Sequence, residues 1–180
     1  MSTLDQQGVT VDLWMLDTFS LSPTESSMNS ISMGMSSLQW SHLERVGQKD
    51  KVQQLEWLES SLKTSTAPWK IVCGHYPVFS DGGHGDNQEL VDCLMPLFQK
   101  YGVDLYLCGH DHNLQHLSIG GVQFIVSGTG SRYHAYHPQR STVPSKATGM
   151  TFLEFSATQA LFGFVGSSGN FYSRSIKKSI

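Results

Sequence analysis

Hydrophobic residues follow two different periods along the first part of the chain. Continuous apolar runs rich in β-branched and aromatic residues cover 9–18, 69–77 and 103–112, a composition typical of buried strands. Between these runs, apolar side chains recur every three or four residues at 51–63 and at 88–101, as on one face of an amphipathic helix. Strands that alternate with helices in this way predict βαβ units and a parallel sheet, and hence an α/β fold.

The pattern changes after His116. Short segments with alternating hydrophobic residues follow, separated by glycine-rich or polar turns, and they predict an antiparallel meander. Two stretches show no period. We interpret residues 20–47, rich in Ser, Met and Gly, as a surface insertion, and residues 132–149 as a polar loop that overhangs a site. A length of 180 residues suits one globular domain.

Three histidines lie at the ends of two predicted strands. His75 follows one apolar run after a glycine, and His110 and His112 follow another in the same way. Because the carboxyl ends of parallel strands meet at one edge of a sheet, we expect these side chains to lie close together. The glycine before His110 lets the chain turn so that each imidazole faces a different ion, as in a bridged pair of metals about 3.5–4 Å apart. Neutral imidazole suits zinc or iron, whereas calcium and magnesium require oxygen ligands.

Ordinary turn histidines are the alternative interpretation of these residues. One histidine after a strand favours that alternative, whereas three that converge by topology favour metal binding. We keep the ordinary interpretation for His42, His116, His134 and His137. The last two lie on the predicted overhanging loop, where a role in substrate binding is the alternative interpretation.

Composition argues against several classes of protein. A charged fraction of 15% and a net charge of −3 lack the basic surface that proteins use to bind nucleic acid. No apolar run approaches the roughly 20 residues of a membrane helix, and the first residues lack the pattern of a signal peptide. Three cysteines without CxxC spacing argue against a disulfide framework or a zinc ribbon. Cys73 and Cys108 lie within apolar runs and are predicted to be buried.

Three short motifs resemble those of one family. The strings GHYPV at 74–78, YLCGHDHNLQ at 106–115 and SGTGS at 127–131 are similar to the C-terminal motifs of purple acid phosphatases. The likeness is greatest to the tartrate-resistant type, within the calcineurin-like metallophosphoesterases, and runs from about Val9 to about Ser131. It implies that the chain forms the C-terminal half of a four-layer α/β/β/α sandwich.

The resemblance also implies roles for individual residues. It assigns His75 and His110 to a divalent ion (iron, zinc or manganese) and His112 to the iron that is trivalent in the active enzyme. His84, in the loop after GHYP, takes the place of a catalytic histidine that faces substrate, where it binds a phosphate oxygen or protonates the leaving group. A solvated loop histidine is the alternative for His84. Asn113 is expected to neighbour the site.

A dinuclear metal centre of this kind implies an acid phosphatase, a metal-dependent hydrolase of phosphate monoesters. Two cations neutralise and orient the phosphate, and they lower the pKa of a water molecule so that it attacks in mild acid. A phosphodiesterase or pyrophosphatase on the same frame is an alternative, because fold does not fix substrate, but GHYPV and GHDHNLQ favour monoesters. Family members are mostly secreted, lysosomal or vacuolar, which leaves the location of this chain open.

The carboxylate ligands of such a centre are not found in the sequence. Three histidines do not neutralise two ions with a combined charge of four or five. The family supplies anionic ligands from its N-terminal half, in motifs of the form DxG, GDxxY and GNH. The only GD, Gly85-Asp86, and the only GN, Gly169-Asn170, lack the residues that should follow.

Asp17 and Asp111 lie near strand ends, yet neither matches a ligand position of the family. We therefore expect residues 1–180 to be a truncated, partial metallophosphoesterase domain with an incomplete site, its carboxylates lying on a missing N-terminal half or on another chain. Such a half sheet exposes an edge and an apolar face, which predicts aggregation or the need for a partner. The alternative function is a catalytically inactive form that binds metal or phosphate, or that regulates the intact enzyme.

Overall fold

A computed structural model describes residues 1–6, 8–22, 37–144 and 146–178, with 4–6 and 37–48 described as backbone only. Nine strands and three helices follow one another in this described part of the chain. The strands are β1 (Ser2–Gln6), β2 (Val9–Met15), β3 (Trp69–Cys73), β4 (Leu105–Cys108), β5 (Leu114–Ile119), β6 (Val122–Ser127), β7 (Met150–Phe155), β8 (Gln159–Gly166) and β9 (Gly169–Lys177). The helices are α1 (Thr18–Leu21), α2 (Ser37–Thr64) and α3 (Gln88–Tyr101).

The first six strands form one sheet in the order β1-β2-β3-β4-β6-β5. β2, β3, β4 and β6 are parallel, with Trp14 beside Val72 and Val72 beside Tyr106. β1 and β5 pair antiparallel at the two edges. β3, α3 and β4 form the predicted βαβ unit, and Gly102 ends α3 in a left-handed conformation at φ 65°. The carboxyl ends of β2, β3 and β4 therefore lie at one edge of the sheet.

The remaining strands, β7, β8 and β9, form a separate antiparallel sheet. The predicted antiparallel pairing of neighbouring strands after β4 is confirmed, but the structure divides it between two sheets. β5 and β6 join the first sheet because β6 pairs with β4, Leu105 beside Gln123. Most residues of both strands are buried, so the hydrophobic pattern alone did not specify which neighbours they would take.

Successive side chains of the first sheet point to opposite faces, which build two cores. One face packs on α2 and α3 and the other on the second sheet, so helices, sheet and sheet form three layers. The core under the helices includes Trp14, Val72, Leu94, Phe98, Tyr106 and Phe124. The core between the sheets includes Val11, Ile71, Leu105, Ile125, Phe162 and Phe164. These layers confirm the predicted α/β class.

Several elements differ from their expected bounds. α2 begins at Ser37, so the predicted insertion at 20–47 ends in helix; this part contains good helix formers such as Leu, Gln, Glu and Arg without an apolar period. Residues 23–36 of that insertion lie outside the described residues. β1 was not expected, because STLDQ contains a single large apolar residue. Residues 132–149, Ser145 aside, form no helix or strand.

The cysteines pack as predicted. Cys73 is half-buried and Cys108 is buried, and all three thiols of the chain are free. Burial raises the pKa of both, that of Cys73 to about 11, which makes them poor nucleophiles. Of the helices in the described ranges, none is long and apolar enough to cross a bilayer.

Candidate metal centre

Three parallel strands deliver polar residues to one edge of the first sheet. Thr18 follows β2, His75 follows β3 and His110 follows β4. The hydroxyl oxygen of Thr18 accepts hydrogen bonds from the N–H of His75 at 3.0 Å and of Tyr76 at 2.9 Å, which fixes the turn after β3. The structure thus brings His75 and His110 to the shared edge that the sequence predicted.

Gly74 makes the close packing beneath this edge possible. A Cβ at this position would lie 2.4 Å from Cγ2 of Thr18 and 2.4 Å from the hydroxyl oxygen of Tyr106. Both neighbours are buried, so neither has room to yield. The Gly-His order after β3 therefore follows from packing as well as from chemistry.

His75 and His110 form a close pair. Nε2 of His75 lies 3.1 Å from Nδ1 of His110, with the ring planes at 71°. Two nitrogens about 2.1 Å from one ion, at angles of about 90–109°, lie roughly 3.0–3.4 Å apart, so the pair fits as two ligands of one ion. His110 has a left-handed backbone at φ 65°, which costs a residue with a Cβ about 1–2 kcal/mol. Strain of this kind concentrates at functional sites.

His112 lies in a different environment. Its Nδ1 is buried without a hydrogen-bond partner, which is rare for a polar atom and is what a coordinate bond would satisfy. Its ring lies 4.8 Å from that of His134, whose N–H donates to the carbonyl oxygen of His112 at 2.7 Å. Burial, and then the proximity of His134 and Arg132, lower the pKa of His112. A lower pKa favours the neutral form of the imidazole, which is the form that binds metals.

These histidines do not form one compact ligand cluster. Within the described ranges, no group of three or more His, Cys, Asp or Glu side chains is placed to hold one ion. The pair of His75 and His110 and the separate His112 fit the imidazole part of a two-ion centre. They do not supply the anionic part, because neutral rings leave the charge of a cation uncompensated.

The two aspartates that could have supplied a carboxylate are engaged elsewhere. Asp17 caps the N-terminus of α1, where its side chain accepts a hydrogen bond from the N–H of Phe19 at 3.0 Å. Asp111 is only 4% exposed and accepts hydrogen bonds from the hydroxyl of Ser80 and from the N–H of His84, the latter at 3.4 Å. Asp111 therefore anchors the loop that carries His84 and is unsuited to binding an ion.

His84 lies beside the predicted metal ligands. Its ring stacks on that of His110, with centroids 4.1 Å apart and planes at 24°. Its Nδ1 is 3.4 Å from Oδ1 of Asp111, and its side chain is 44% exposed. A cavity of about 280 Å³ opens next to this stack, lined by Tyr76, Pro77, His84, Asn87, Glu89 and His110 among others. A substrate could therefore reach both histidines.

Sequence reasoning missed several neighbours of the site. His134, interpreted as ordinary, packs on His112, and Arg140 binds the loop that carries His84. No spacing in the sequence links either residue to the strand ends, since both belong to the irregular stretch after β6. Asn113, expected to neighbour the site, is 1% exposed, and its Oδ1 accepts from Nε2 of Gln115 at 2.8 Å.

The other histidines agree with an ordinary role where the structure describes them. His116 is buried between the sheets, with Nδ1 2.5 Å from the hydroxyl oxygen of Tyr172 and Nε2 2.9 Å from Oε1 of Gln123. His137 is exposed. The side chain of His42 lies outside the described residues.

Comparison with known proteins identifies the group to which this arrangement belongs. A profile of the calcineurin-like phosphoesterase family matches residues 10–114. The tartrate-resistant acid phosphatase type 5 of Oryctolagus cuniculus is 41% identical over 112 residues, which cover 62% of this chain and 34% of the rabbit protein. Curated relatives of the same kind are matched over 23% to 39% of their length, so the chain spans well under half of them.

Solved structures agree with the fold. The structure of GAP50, the anchor in the inner membrane complex of Plasmodium, matches 99% of this chain and 53% of its own with a TM-score of 0.70 at 21% identity. A purple acid phosphatase from seeds of yellow lupin (Lupinus luteus) matches 69% of this chain and 28% of its own with a TM-score of 0.59 at 24% identity. The family profile covers more than half of the chain, and the sequence therefore belongs to the calcineurin-like phosphoesterase family, with curated relatives named purple acid phosphatase and tartrate-resistant acid phosphatase.

Proposed function

We propose that the chain supplies the histidine side of an acid phosphatase site that hydrolyses phosphate monoesters with two metal ions. The observation that carries this proposal is the pair His75 and His110, whose ring nitrogens are 3.1 Å apart at the sheet edge with His84 stacked beside them. Membership of a phosphoesterase family and relatives named acid phosphatases support phosphoester hydrolysis as the reaction.

Each histidine has a separate role in this proposal. His75 and His110 hold the divalent ion, which is iron, zinc or manganese, and His112 holds a second ion, iron, through the buried Nδ1 that has no other partner. Such a pair of ions, when bound, neutralises phosphate charge and lowers the pKa of water. The strained backbone of His110 keeps its ring against that of His75.

His84 acts on the substrate. Since Asp111 lies beside its Nδ1, the other ring nitrogen, Nε2, is the one that acts on a phosphate ester in the neighbouring cavity. A protonated imidazole in this position is a general acid for the departing alcohol, and its N–H is a hydrogen-bond donor to a phosphate oxygen. His84 therefore either protonates the leaving group or donates a hydrogen bond to a phosphate oxygen.

The carboxylate ligands come from outside the described residues in this proposal. Three imidazoles leave a combined charge of four or five uncompensated, and Asp17 and Asp111 already accept hydrogen bonds in the structure. We propose that a further polypeptide segment, in the same protein or in a partner chain, covers the edge and completes the centre. The site formed by this chain alone is then incomplete.

Metal analysis combined with a phosphatase assay tests the proposal. The full protein should bind zinc or iron, as measured by inductively coupled plasma mass spectrometry, and should hydrolyse p-nitrophenyl phosphate. His75→Ala and His110→Ala should each lower the metal content and the rate of hydrolysis. His137→Ala, which removes an exposed histidine of the same chain, should change neither quantity. Metal-dependent turnover that survives both of the first two changes would overturn the assignment.

A non-catalytic role is the second candidate, and one observation favours it: among the described residues, no group of three or more His, Cys, Asp or Glu side chains is placed to hold one ion. In this case the chain binds metal or phosphate, or regulates an intact enzyme, without turnover. One bound ion per chain and no hydrolysis of p-nitrophenyl phosphate by the full protein would favour this candidate. Two ions and turnover would favour the phosphatase.

A further inference from the structure

Two segments beside the site are joined by a group of charges that we call the latch: Arg140, Asp81 and Asp86. Arg140 lies on the irregular stretch 132–149, and the two aspartates lie on the loop between β3 and α3. The Arg140 side chain donates from Nε to Asp81 at 2.8 Å and from both terminal nitrogens to Asp86, at 2.9 and 2.7 Å. It also donates to the carbonyl oxygen of Ser80 at 2.9 Å. One guanidinium therefore binds three residues of the loop.

Asp81 strengthens the latch through the backbone. Its Oδ2 accepts hydrogen bonds from the N–H groups of Gln139, Arg140 and Ser141, at 2.8, 2.7 and 2.7 Å. The Asp81 side chain is only 2% exposed. Burial by itself raises the pKa of Asp81, but these N–H donors and Arg140 together lower it, so the carboxylate is ionised at neutral pH.

His84 lies on the same loop, between Asp81 and Asp86. Ser80 donates its N–H to Asp86 at 3.0 Å, and Gly82 donates to the Ser80 hydroxyl oxygen at 2.9 Å, so the loop closes on itself. The Ser80 hydroxyl and the His84 N–H also donate to Asp111, the residue between the two histidines of the GHDH motif. The loop is thus bound both to Arg140 and to Asp111, which follows the end of β4.

This contact differs from an ordinary surface ion pair. Exposed ion pairs contribute about 0–1 kcal/mol, because solvent screens them and two long side chains lose freedom. Here the guanidinium binds Asp86 through two parallel bonds, and the Asp81 carboxylate is buried and accepts three backbone N–H groups. Such geometry fixes where the loop lies relative to the sheet edge.

We infer that Arg140, through Asp81 and Asp86, is a positioning residue that holds the imidazole of His84 beside His110. Arg140 then acts on the phosphatase site through the loop that carries His84. The effect on catalysis rests on the proposed function, whereas the control of loop position does not depend on it.

Hydrogen exchange tests the control of loop position in the full protein. Arg140→Gln should make the amides of 80–86 exchange at least about tenfold faster. Without the guanidinium the loop moves more freely, so the hydrogen bonds donated by the N–H groups of Ser80, Gly82 and His84 open more often. Peptides from β5 and β6 should be unchanged. Lys146→Gln removes the same charge from the same stretch at an exposed position and should have no effect. Arg140→Lys keeps the charge but loses the fork and should be intermediate.

Unchanged exchange of 80–86 in Arg140→Gln would overturn the inference. If all peptides of that variant exchange rapidly, the variant fails to fold, and Asp86→Asn is measured instead. This change removes the carboxylate that accepts both terminal nitrogens of Arg140, at a side chain that is 38% exposed and so is less needed for folding. Faster exchange confined to 80–86 in Asp86→Asn supports the inference, and exchange at the wild-type rate overturns it.

Leaving-group dependence tests the catalytic consequence. Arg140→Gln should lower kcat for an alkyl phosphate by about 10- to 100-fold more than for p-nitrophenyl phosphate, whose leaving group hardly needs a proton. His84→Ala should show the same selectivity, and the double variant should lose no more than His84→Ala alone. Equal, additive losses on both substrates would mean a merely structural role. If the wild-type protein shows no turnover, the proposed function fails, while the exchange experiment still decides the position of the loop.

Discussion

His112 lies just before β5, and His116 lies within that strand, four residues further along the chain. The ring nitrogens of the two side chains differ in their hydrogen bonds. Both ring nitrogens of His116 have partners in the core between the sheets, Tyr172 and Gln123. The Nδ1 of His112 is buried without one. A histidine whose hydrogen bonds are complete stabilises the fold, whereas one with an unmatched nitrogen is suited to a ligand that the chain itself does not provide.

The same contrast holds between His116 and His110. His116 sits in a regular strand with its ring between aromatic neighbours such as Phe162. His110 has a left-handed backbone that an ordinary packing role would not require. We therefore expect the interior histidine to contribute to stability alone, whereas at the sheet edge the requirements of stability and of metal binding oppose each other. Four changes, from the largest expected effect to the smallest, test this.

Replacing His116 should have the largest effect on stability. His116→Ala leaves a cavity between the sheets and removes the partners of Tyr172 and Gln123, at a cost of about 3–4 kcal/mol. Chemical denaturation measures this loss. Metal content per folded molecule should stay unchanged, and a parallel loss of metal would show that His116 belongs to the site after all.

Replacing His110 should have the largest effect on metal binding. His110→Ala removes one of two nitrogens placed for the same ion, so the dissociation constant of Zn²⁺ should rise by about 100-fold, or about 2.7 kcal/mol. Isothermal titration calorimetry with Zn²⁺ alone measures this change without any substrate. His116→Gln serves as the comparison, and equal affinities for the two variants would contradict the contrast.

Low pH should reduce the contribution of His116 to the stability of the fold. Burial lowers the pKa of His116 in the folded protein below the value of about 6.5 in the unfolded chain. The unfolded state then binds the proton more readily, so the stabilisation is complete above about pH 6.5. It is lost as the pH falls toward the folded pKa, by at most about 1.4 kcal/mol per pH unit. Denaturation of the wild type at a series of pH values, against His116→Gln, isolates this contribution.

Relief of strain at the edge should have the smallest effect, and it should have the opposite sign. His110→Gly keeps the left-handed backbone without a Cβ and should stabilise the fold by about 0.5–1 kcal/mol, measured by thermal unfolding. Metal binding should fall as in His110→Ala. A destabilised glycine variant would show that the His110 ring is needed for packing.

The sequence was sufficient for the parts of the fold that depend on local pattern. The apolar runs before His75 and His110 and the period of 88–101 predicted β3, α3 and β4, and the parallel arrangement placed both histidines at one edge. The hydrophobic pattern did not determine the assignment of β5 and β6 to the first sheet. A strand that is buried on both faces is hydrophobic along its whole length, so its pattern does not indicate which strands pair with it.

The same division applies to the site. The Gly-His corners are local, because a glycine is needed wherever backbone and side chains approach closely, as Gly74 approaches Thr18 and Tyr106. Other contacts of the site join residues that are far apart in the sequence. Asp111 accepts a hydrogen bond from Ser80, and Arg140, in a stretch with no regular period, donates to Asp81. Sequence separation hides such contacts from any analysis of periodicity.

By itself, the sequence determined the strand and helix order, the edge where the histidines meet and the family to which they belong, because these follow from local hydrophobic period and short motifs. Only the tertiary structure decided which histidines remain open to a ligand and which are satisfied. It also showed that Asp17 and Asp111 are engaged and that Arg140 holds the loop of His84. The physical reason is that the satisfaction of a polar group depends on partners far away in the chain, which meet it only when the layers pack.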